Sequence, residues 1–579
     1  MPNRQKQSFL HGALILSVAA ILTKIIGALF FKIPLQNINK TAYGYFEAAY
    51  NIYIPLYTVS TAGFPVAVSR LVSESMALGR YRDIRVIHRV ANKVFLLTGT
   101  LGTVLMFILA FVYPNFIHMP PVLLTMLVMA PSILFCCMVS AYRGVYEGSR
   151  NMYPTAVSQI LEAVGKLVVG LGLASGALRL GQWQFENGGV VFGKAAATAG
   201  EALEISLPYI AAGGMVGVTF GSFVSFAYLV IRYRIRGSGL TREELSAAPK
   251  PMSSRRVFRR LLAFAVPVAL GTLATQLTNL IDVVSLQKCL AIVVERSGDV
   301  IREMYASQIE ASGTNDILAY LTANRGIAMT YVNLVPNITL TLGISALPVV
   351  TSAWAMKDRK QLKTMVSAVL RITLLVALPS GIGLSLLAKP ILNLIYPGDP
   401  TVAAVAGPQL QVLGIAVIFI CLTAPINSML QAMGRADIPA KIVLVGGAVK
   451  LLLNTTLVLR PKLNIMGSAY STLACYIVMV TLSLIALRRV AGVRLKWRMI
   501  FIRPLLASAL CGAAAWAADG LLVRVGVPSR IATLIAIFMA VFIYIVALLQ
   551  VRAIAREDVL MLPKGQKIVK ILEKHNWIG

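Results

Sequence analysis

Charged residues are scarce in this sequence, and acidic ones are the scarcest. Only 13% of the 579 residues are charged, with 54 Lys and Arg against 23 Asp and Glu, whereas about a quarter of a typical soluble protein is charged. Hydrophobic residues make up 57% of the chain. Apolar runs of about 18 residues or more, each long enough to cross a bilayer as a helix, recur from end to end. The composition excludes an ordinary soluble domain and predicts an all-α polytopic membrane protein.

The residue types that build enzyme and metal sites are also few. The chain has 6 cysteines without metal-ligand spacing, and its 4 histidines lie outside the middle of every predicted span. There are no paired carboxylates and no nucleophile with a neighbouring base inside a span. We therefore predict that the protein is not an enzyme and uses neither a metal nor another cofactor.

The hydropathy pattern predicts about fourteen transmembrane helices. If the N-terminus is cytoplasmic, the inner connections hold about three times as many Lys and Arg as the outer ones. This positive-inside asymmetry accounts for the net charge of +31 without nucleic acid as a partner. It also predicts a multi-pass protein of the bacterial plasma membrane with both termini in the cytoplasm. The predicted spans are 8–34, 43–71, 88–113, 121–145, 153–178, 205–232, 258–287, 326–353, 365–389, 402–431, 438–460, 465–488, 500–522 and 529–552.

Two six-helix lobes, a linker and a C-terminal extension account for the predicted helices. The linker is polar and contains Gly, Ser and Pro, so we expect it to be flexible; a site for anionic lipid is the alternative interpretation. Two outer insertions, 179–204 and 288–325, are too polar to span, and the second has the periodicity of a short amphipathic helix or helix pair. The predicted parts are the N-terminal lobe 1–236, the cytoplasmic linker 237–257, the C-terminal lobe 258–490, two additional transmembrane helices at 491–552 and the cytoplasmic tail 553–579.

The stretch from Arg143 to Lys166 returns in weaker form from Asn427 to Lys450. Because six predicted helices separate the copies, each copy runs in the same direction through the membrane. The lobes are therefore parallel repeats related by an axis along the membrane normal, an arrangement that commonly places a substrate site between the lobes and exposes it alternately to each side.

Three lysines, Lys24, Lys166 and Lys450, lie in the middle of predicted helices. Ionisable side chains at this depth are costly and normally face a cavity or a partner. Glu162 lies one turn before Lys166 and could neutralise it as an i,i+4 pair, whereas Gly446 takes the acidic position before Lys450. Lys450 is thus the cleaner candidate for binding an anion. Two polar residues, Gln159 and Asn279, complete the candidate cavity set.

Two carboxylates, Glu47 and Asp282, lie toward the outer ends of predicted helices. They could bind a coupling ion, either H⁺ or Na⁺, or they could be hydrated residues at the outer rim; the sequence favours neither alternative. Lys32 and Arg70 lie near opposite membrane faces, and interface anchoring explains them.

Several motifs resemble the polysaccharide-transporter branch of the MOP (multidrug/oligosaccharidyl-lipid/polysaccharide) exporter superfamily, including stage V sporulation protein B-like proteins and lipid II flippases. The helix four–five motif is specific for this branch. The motif residues are Arg143, Gly144, Gly148, Asn151, Met152, Pro154, Thr155, Ala156, Ser158, Gln159, Ile160, Glu162 and Lys166, with Gly63, Pro65, Val66, Ala67, Val68 and Ser69 in helix two and Thr23 to Gly27 in helix one.

The resemblance implies a flippase that moves an undecaprenyl-diphosphate-linked sugar precursor from the inner to the outer leaflet. Its lobes would rock about a central cationic cavity, and the last two helices would form a groove for the lipid tail. Lys24 occupies the position of a basic residue in lipid II flippases. A second Arg of that family is Phe30 here, with Lys32 two positions beyond. We expect a monomer whose partners are this substrate and membrane lipid.

Two other functions remain open at this point. A cation-coupled drug exporter of the same superfamily should have a cavity dominated by carboxylates, whereas the deepest charges here are three lysines against one glutamate, which favours an anionic substrate. A non-transporting scaffold in envelope or spore-cortex assembly is the third possibility. The kind of glycan carried, from peptidoglycan, cortex or another polysaccharide, stays undetermined.

Overall fold

The computed structural model divides into two compact units. The first comprises the described residues within Met1–Ala291 and Gly313–Ala323, and the second those within Ile292–Ser312 and Asn324–Gly579. The structure describes residues 9–61, 63–149, 151–237, 242–312, 316–336, 339, 350, 353–354, 356–435, 437–493 and 497–553.

The described residues are almost entirely helical, and the longest helices run well beyond the length of a single membrane crossing. The helices up to residue 304 are α1 (Phe9–Ile25), α2 (Ile33–Ile38), α3 (Lys40–Thr61), α4 (Phe64–Ala77), α5 (Tyr81–Phe116), α6 (Val122–Gly148), α7 (Tyr153–Gly188), α8 (Ala199–Arg236), α9 (Arg242–Ala247) and α10 (Ser254–Met304). Those after it are α11 (Ala306–Ser312), α12 (Ile317–Val332), α13 (Arg359–Leu386), α14 (Ala388–Ile395), α15 (Pro400–Ala432), α16 (Asp437–Leu453), α17 (Asn464–Ala491), α18 (Arg503–Arg524) and α19 (Ser529–Gln550). Three π-helical segments adjoin them, Ile26–Lys32, Asn454–Val458 and Arg498–Ile502.

The prediction of a polytopic all-α membrane protein is confirmed. Within the described residues, 12 helices are long and apolar enough to cross a membrane. They correspond to twelve of the predicted spans. Of the other two, 258–287 lies within α10 but is not among these 12 helices, and 326–353 is described only in part. The predicted count of about fourteen is therefore not confirmed.

The elbow of the N-terminal repeat is a tight turn between α6 and α7. Helix α6 ends at Gly148 and α7 begins at Tyr153. Helix α4 packs against the last turns of α6, where Cβ atoms added at Gly144 and Gly148 would meet the backbone oxygens of Pro65 and Ser69. The Ser73 hydroxyl donates to the Gly148 carbonyl at 2.9 Å. Because Gly144 and Gly148 have no side chains, α4 and α6 can approach each other closely.

Helices α7 and α8 form a long antiparallel pair. The first outer insertion, 179–204, mostly extends these two helices: α7 continues to Gly188, a hairpin of Val190–Val191 and Lys194–Ala195 follows, and α8 begins at Ala199. Thr198 caps α8, because its Oγ1 accepts from the Glu201 amide while Glu201 Oε2 accepts from the Ala197 amide. These two side-chain hydrogen bonds resemble a capping box, although Glu201 accepts from the residue before the cap, and they explain the sharp start of α8.

A glycine column on α8 holds the two helices together. Gly213, Gly217 and Gly221 are spaced one turn apart, and a Cβ on any of them would strike the backbone of α7. The atoms it would meet include the Lys166 carbonyl oxygen, 2.6 Å from a Cβ at Gly217. Only glycine permits this approach, as in other membrane helix pairs with small residues at four-residue spacing.

The second outer insertion, 288–325, is helical as expected. It contains the end of α10, all of α11 and the start of α12. Helix α10 bends at Ser297, whose φ of −137° and ψ of 35° are not helical.

The predicted flexible linker, 237–257, is instead fastened to the first unit. The Arg82 guanidinium donates to the Leu245 carbonyl at 2.8 Å, and the buried Asp83 carboxylate accepts from the Met252 amide at 2.7 Å. Just beyond the linker, Arg260 pairs with both oxygens of Glu74 at 2.8 Å. The composition of the linker predicted flexibility, because composition does not show which hydrogen bonds a segment makes with the rest of the fold.

The second unit has an aliphatic core between its long helices. Val366, Leu370 and Leu374 lie one turn apart on α13 and share a buried cluster with Ile418 and Leu422 of α15. Helices α18 and α19 form a pair of their own, in which the Thr533 hydroxyl donates to Asp519 at 2.9 Å.

Candidate functional site

An aromatic stripe runs along one face of α3. Its members are three or four residues apart, so they lie one above the other on the helix. Successive ring centroids are between 5.6 and 5.9 Å apart, and the rings are stacked. The stripe consists of Tyr43, Phe46, Tyr50, Tyr53 and Tyr57.

Lys32 and Glu47 form an ion pair near the N-terminal end of this stripe. The Lys32 Nζ donates to Glu47 Oε2 at 3.1 Å, and the Tyr43 hydroxyl donates to the same oxygen at 2.9 Å. Glu47 is only 5% exposed. Interface anchoring alone therefore does not explain Lys32. Of the two alternatives left open for Glu47, a hydrated rim residue does not fit its burial. Lys32 also ends the π-helical segment Ile26–Lys32, a geometry that is frequent at functional sites.

Lys166 lies beside this pair, with its ammonium against aromatic rings. Its Nζ is 4.5 Å from the centroid of Phe31 and 5.1 Å from that of Tyr50. The Lys32 Nζ is 5.3 Å from the same Tyr50 ring. Ring faces attract cations but do not neutralise them. Within the part of the chain that the structure describes, Lys166 has no ion pair and no hydrogen bond. We call Phe31, Lys32, Glu47, Tyr50 and Lys166 the lysine cluster.

Glu162 pairs with Arg143 and not with Lys166. The Arg143 Nη2 donates to Glu162 Oε2 at 2.9 Å and to the Ser225 hydroxyl at 3.2 Å, and the Arg143 Nε donates to the Ser158 hydroxyl at 2.9 Å. The alternative of an i,i+4 pair between Glu162 and Lys166 is thus wrong. The lysine cluster holds two ammonium groups against one carboxylate, while Arg143 and Glu162 balance each other.

The glycine column explains why Lys166 points at the rings. Its backbone faces Gly217 and Gly221 of α8, so the rotation of α7 about its axis is fixed on that side. One turn further on, a Cβ atom added at Gly170 would lie 2.7 Å from the Cε2 atom of Phe31. The same contacts that join α7 to α8 therefore direct the Lys166 side chain toward the π-helical segment Ile26–Lys32 and toward α3.

The remaining predicted residues have different surroundings. Gln159 is half-buried, and its Oε1 is buried without a hydrogen-bond partner among the described residues. Lys24 is exposed on α1, and Asn279 is exposed on α10 with its amide donating to Gln276 at 3.2 Å. Asp282 on α10 and Lys450 on α16 are half-buried, and neither is without a partner.

Three residues outside the predicted candidate set are also functional candidates in the structure. Tyr50 carries no charge and was not distinguished from other aromatic residues, and Arg371, 4% exposed on α13, lies inside a predicted span but was not singled out. Arg143 had an available signal: in a helical hairpin, residues equally distant from the turn lie at the same depth. Arg143 and Ser158 are equally distant from the midpoint of the elbow, and Glu162 follows one turn deeper.

Comparison with protein families matches two parts of the chain. A family described as "Polysaccharide biosynthesis protein" matches residues 9–180, and a family described as "Lipid II flippase MurJ" matches residues 300–546. Among curated proteins of Bacillus subtilis (strain 168), the chain is 23% identical to the lipid II flippase MurJ, with 84% of each chain covered. It is 23% identical to stage V sporulation protein B, with 85% of this chain and 86% of that protein covered. It is 24% identical to the membrane protein YabM, with 98% and 97% covered.

Two solved structures share the fold. A lipid II flippase MurJ in an inward closed conformation matches with a TM-score of 0.60 and 14% identity, covering 92% of this chain and 98% of that one. An inward-facing MATE family transporter of the MOP superfamily matches with a TM-score of 0.57 and 11% identity, covering 83% and 99%. The resemblance to the MOP superfamily is confirmed. This chain is a multi-pass membrane protein with the MOP fold.

The lysine cluster falls in the part of this MOP-like chain that resembles polysaccharide biosynthesis proteins. All of its members, together with Arg143 and Glu162, lie within residues 9–180. The second family match covers Lys450, Arg371, all of α18 and α19 up to residue 546. The candidate cations of the two units thus fall under different family matches.

Proposed function

We propose that this protein is a flippase that moves a polyprenyl-diphosphate-linked sugar precursor across the bacterial plasma membrane by alternating access. The observation that carries the proposal is Lys166, a lysine deep in α7 whose ammonium faces the rings of Phe31 and Tyr50 and no carboxylate among the described residues. Such a group in a membrane helix is retained for a partner. A diphosphate is a suitable one, because its negative charge is attracted strongly where the effective dielectric constant is low.

The charge balance of the region favours an anion over a cation. Within the lysine cluster, Lys32 and Glu47 compensate each other, and Lys166 is the remaining charge. Arg143 lies outside the cluster and interacts with the carboxylates of Glu162 and Glu147. Lys166 therefore leaves the lysine cluster with one net positive charge. A site for a cationic drug would need the opposite excess.

Two neutral polar residues suit a sugar: Gln159, two turns before Lys166 on α7, and Tyr50 of the lysine cluster. The Gln159 Oε1 is buried and lacks a donor among the described residues, so a hydroxyl of the headgroup can supply the missing hydrogen bond. Tyr50 offers a ring face and a hydroxyl at the centre of the lysine cluster. The polyprenyl tail can remain in lipid, so only the headgroup needs this polar path.

Glu47 is the proposed coupling carboxylate. When Lys32 moves from Glu47 to the substrate diphosphate, Glu47 is left as a buried unpaired charge, which is costly. Binding of H⁺ or Na⁺ at Glu47 offsets that cost and links ion movement to substrate binding. Asp282 stays as a second coupling candidate. Lys24, Lys450 and Asn279 stay as further substrate contacts, with both termini cytoplasmic and the protein acting as a monomer.

A depletion experiment tests the function. Cells depleted of the protein are complemented with wild-type chain, Lys166→Ala or Lys441→Ala, and lipid-linked precursors in the inner leaflet are quantified by mass spectrometry. Lys441 is a matched control, because its side chain is 77% exposed and pairs with Asp437 on the surface. We expect precursor to accumulate only with Lys166→Ala, and its headgroup identifies the glycan. If no lipid-linked sugar accumulates on depletion, the flippase proposal is wrong.

A further inference from the structure

A second basic site lies apart from the lysine cluster, at the start of α5 and the end of α8. A cavity of about 430 Å³ opens there. Arg85, His88, Arg89 and Asn92 line it from α5, and Tyr233 lines it from α8. Gly237 and Leu245 of the linker complete its wall. A cavity of this size lies within the range that small ligands occupy.

The two arginines of this cavity have no acidic partner among the described residues. Arg85 and Arg89 are one helical turn apart, and like charges at this spacing repel each other. Neither makes an ion pair or a hydrogen bond within the described residues. The nearby acid on the same helix, Asp83, is already engaged by Arg80 at 2.6 Å and by the Met252 amide.

The neighbouring end of α8 adds positive charge and no acid. Arg232, Arg234 and Arg236 occupy its last turns. Every fixed charge contributed by these two helix ends beyond the engaged Asp83 is therefore positive, and an anion in the cavity would relieve the repulsion.

The inner wall of the cavity is rigid. His88 is 7% exposed, and its ring packs against Tyr233 at 4.1 Å and Tyr142 at 4.7 Å between centroids. The Asn92 amide lies 3.2 Å from His88 Nε2. Groups held in place by packing lose little freedom when a ligand binds.

We propose that this cavity binds a phosphate group at the cytoplasmic face of the protein. The guanidinium forks of Arg85 and Arg89 match phosphate oxygens in pairs, and the positive-inside asymmetry places this end of α5 at the inner leaflet. The phosphate belongs either to an anionic phospholipid headgroup or to a soluble phosphate ester. Because Arg82 and Leu245 tie α9 to this site, the ligand would also hold the linker against α5.

Matched double variants of the full chain test this proposal. Arg85→Gln/Arg89→Gln removes the charge of the cavity. Arg255→Gln/Arg259→Gln removes the same charge at the same spacing from exposed positions of α10 outside the cavity. Phosphatidylglycerol retention is measured by native mass spectrometry after purification from mixed phosphatidylcholine and phosphatidylglycerol nanodiscs. Glycerol 3-phosphate binding is measured by thermal shift in detergent.

We expect the cavity variant to lose about tenfold or more in affinity for one of these probes, because charge-assisted hydrogen bonds to phosphate are lost. A selective loss of phosphatidylglycerol identifies a lipid site, and a selective loss of glycerol 3-phosphate identifies a soluble ester. Equal binding by wild type and the cavity variant, or equal losses in both double variants, would overturn the proposal. Circular dichroism of both variants establishes that they are folded.

Discussion

The two copies of the internal repeat are built alike but are stabilised differently. In the first copy, Arg143 on α6 and Glu162 on α7 form an ion pair supported by serine hydroxyls. In the second, the equivalent positions are Asn427 and Gly446, and Gly446 packs against the sulfur atoms of Cys475 and Met479. The first copy therefore keeps a polar, charged environment within reach of its lysine, whereas the second has become an apolar contact.

This difference reverses the ranking of the two repeat lysines. The sequence favoured Lys450, because Glu162 was available to neutralise Lys166. In the structure Arg143 occupies Glu162, so Lys166 is the lysine with ring faces and no carboxylate partner among the described residues. An acidic residue one turn away is a partner only when no better placed cation competes for it.

The largest effect is expected from exchanging these lysines for alanine one at a time. Lys166→Ala should lower precursor flipping in proteoliposomes by about a hundredfold, because two charge-assisted hydrogen bonds to the diphosphate are worth about 3 kcal/mol. Lys450→Ala should lower it less. Lys166→Arg should retain part of the activity. A larger loss in Lys450→Ala than in Lys166→Ala would break the comparison.

The ion pair between Arg143 and Glu162 should contribute to stability, whereas the equivalent residues Asn427 and Gly446 of the second copy should contribute little. Arg143→Ala leaves Glu162 and Ser225 without their donor and should lower the free energy of unfolding by about 1–3 kcal/mol. Asn427→Ala removes a side chain whose Oδ1 already lacks a partner among the described residues, so its effect should be much smaller. Thermal unfolding in detergent measures both. Similar losses in the two variants would contradict the assignment.

Gly221, which packs against Glu162 in the first copy, and Gly446, which replaces Glu162 in the second, should differ in how well they tolerate substitution by alanine. A Cβ at Gly221 meets the Glu162 carbonyl oxygen and the Lys166 amide nitrogen, which are backbone atoms, whereas one at Gly446 meets the flexible Met479 side chain. We expect Gly221→Ala to cost about 1–3 kcal/mol by overpacking and Gly446→Ala to cost less than about 1 kcal/mol. The same unfolding measurement decides, and equal costs would show that α7 and α8 can separate freely.

The smallest effect is expected at Gln159, whose equivalent in the second copy is Val443. Gln159→Val should raise stability slightly, because it removes a buried acceptor that lacks a hydrogen bond. It should also weaken precursor binding about fivefold, since a neutral hydrogen bond is worth about 1 kcal/mol. Binding of a soluble precursor headgroup is measured by calorimetry. Unchanged binding would remove Gln159 from the substrate site.

Much of the fold followed from hydropathy, because a bilayer imposes the length of each helix and composition reports it directly. The elbow between α6 and α7 was also predictable from its polar residues. The choice of partner for Glu162 was not. It depends on how far each helix rotates about its axis, and for α7 that rotation is set by Gly217 and Gly221 on a helix more than 50 residues away.

The lysine cluster could not be found by scanning for charges alone. Lys32 lies near the end of an apolar run, where interface anchoring is the ordinary explanation. Its actual surroundings come from three separate segments: the π-helical turn that ends at Lys32, the aromatic face of α3 and the middle of α7. Neither the π-helical turn nor the approach of two ammonium groups to the Tyr50 ring has a clear sequence pattern.

The length of the α7–α8 pair makes its connecting hairpin a suitable position for inserting a marker domain. Helices of 36 and 38 residues are about 54 and 57 Å long, whereas the hydrocarbon core of a bilayer is about 30 Å thick. The pair is therefore longer than one crossing requires, and the hairpin at Val190–Ala195 lies at one end of it. A small folded domain inserted between Val191 and Lys194 would serve as a marker for particle alignment in electron microscopy while leaving the lysine cluster untouched.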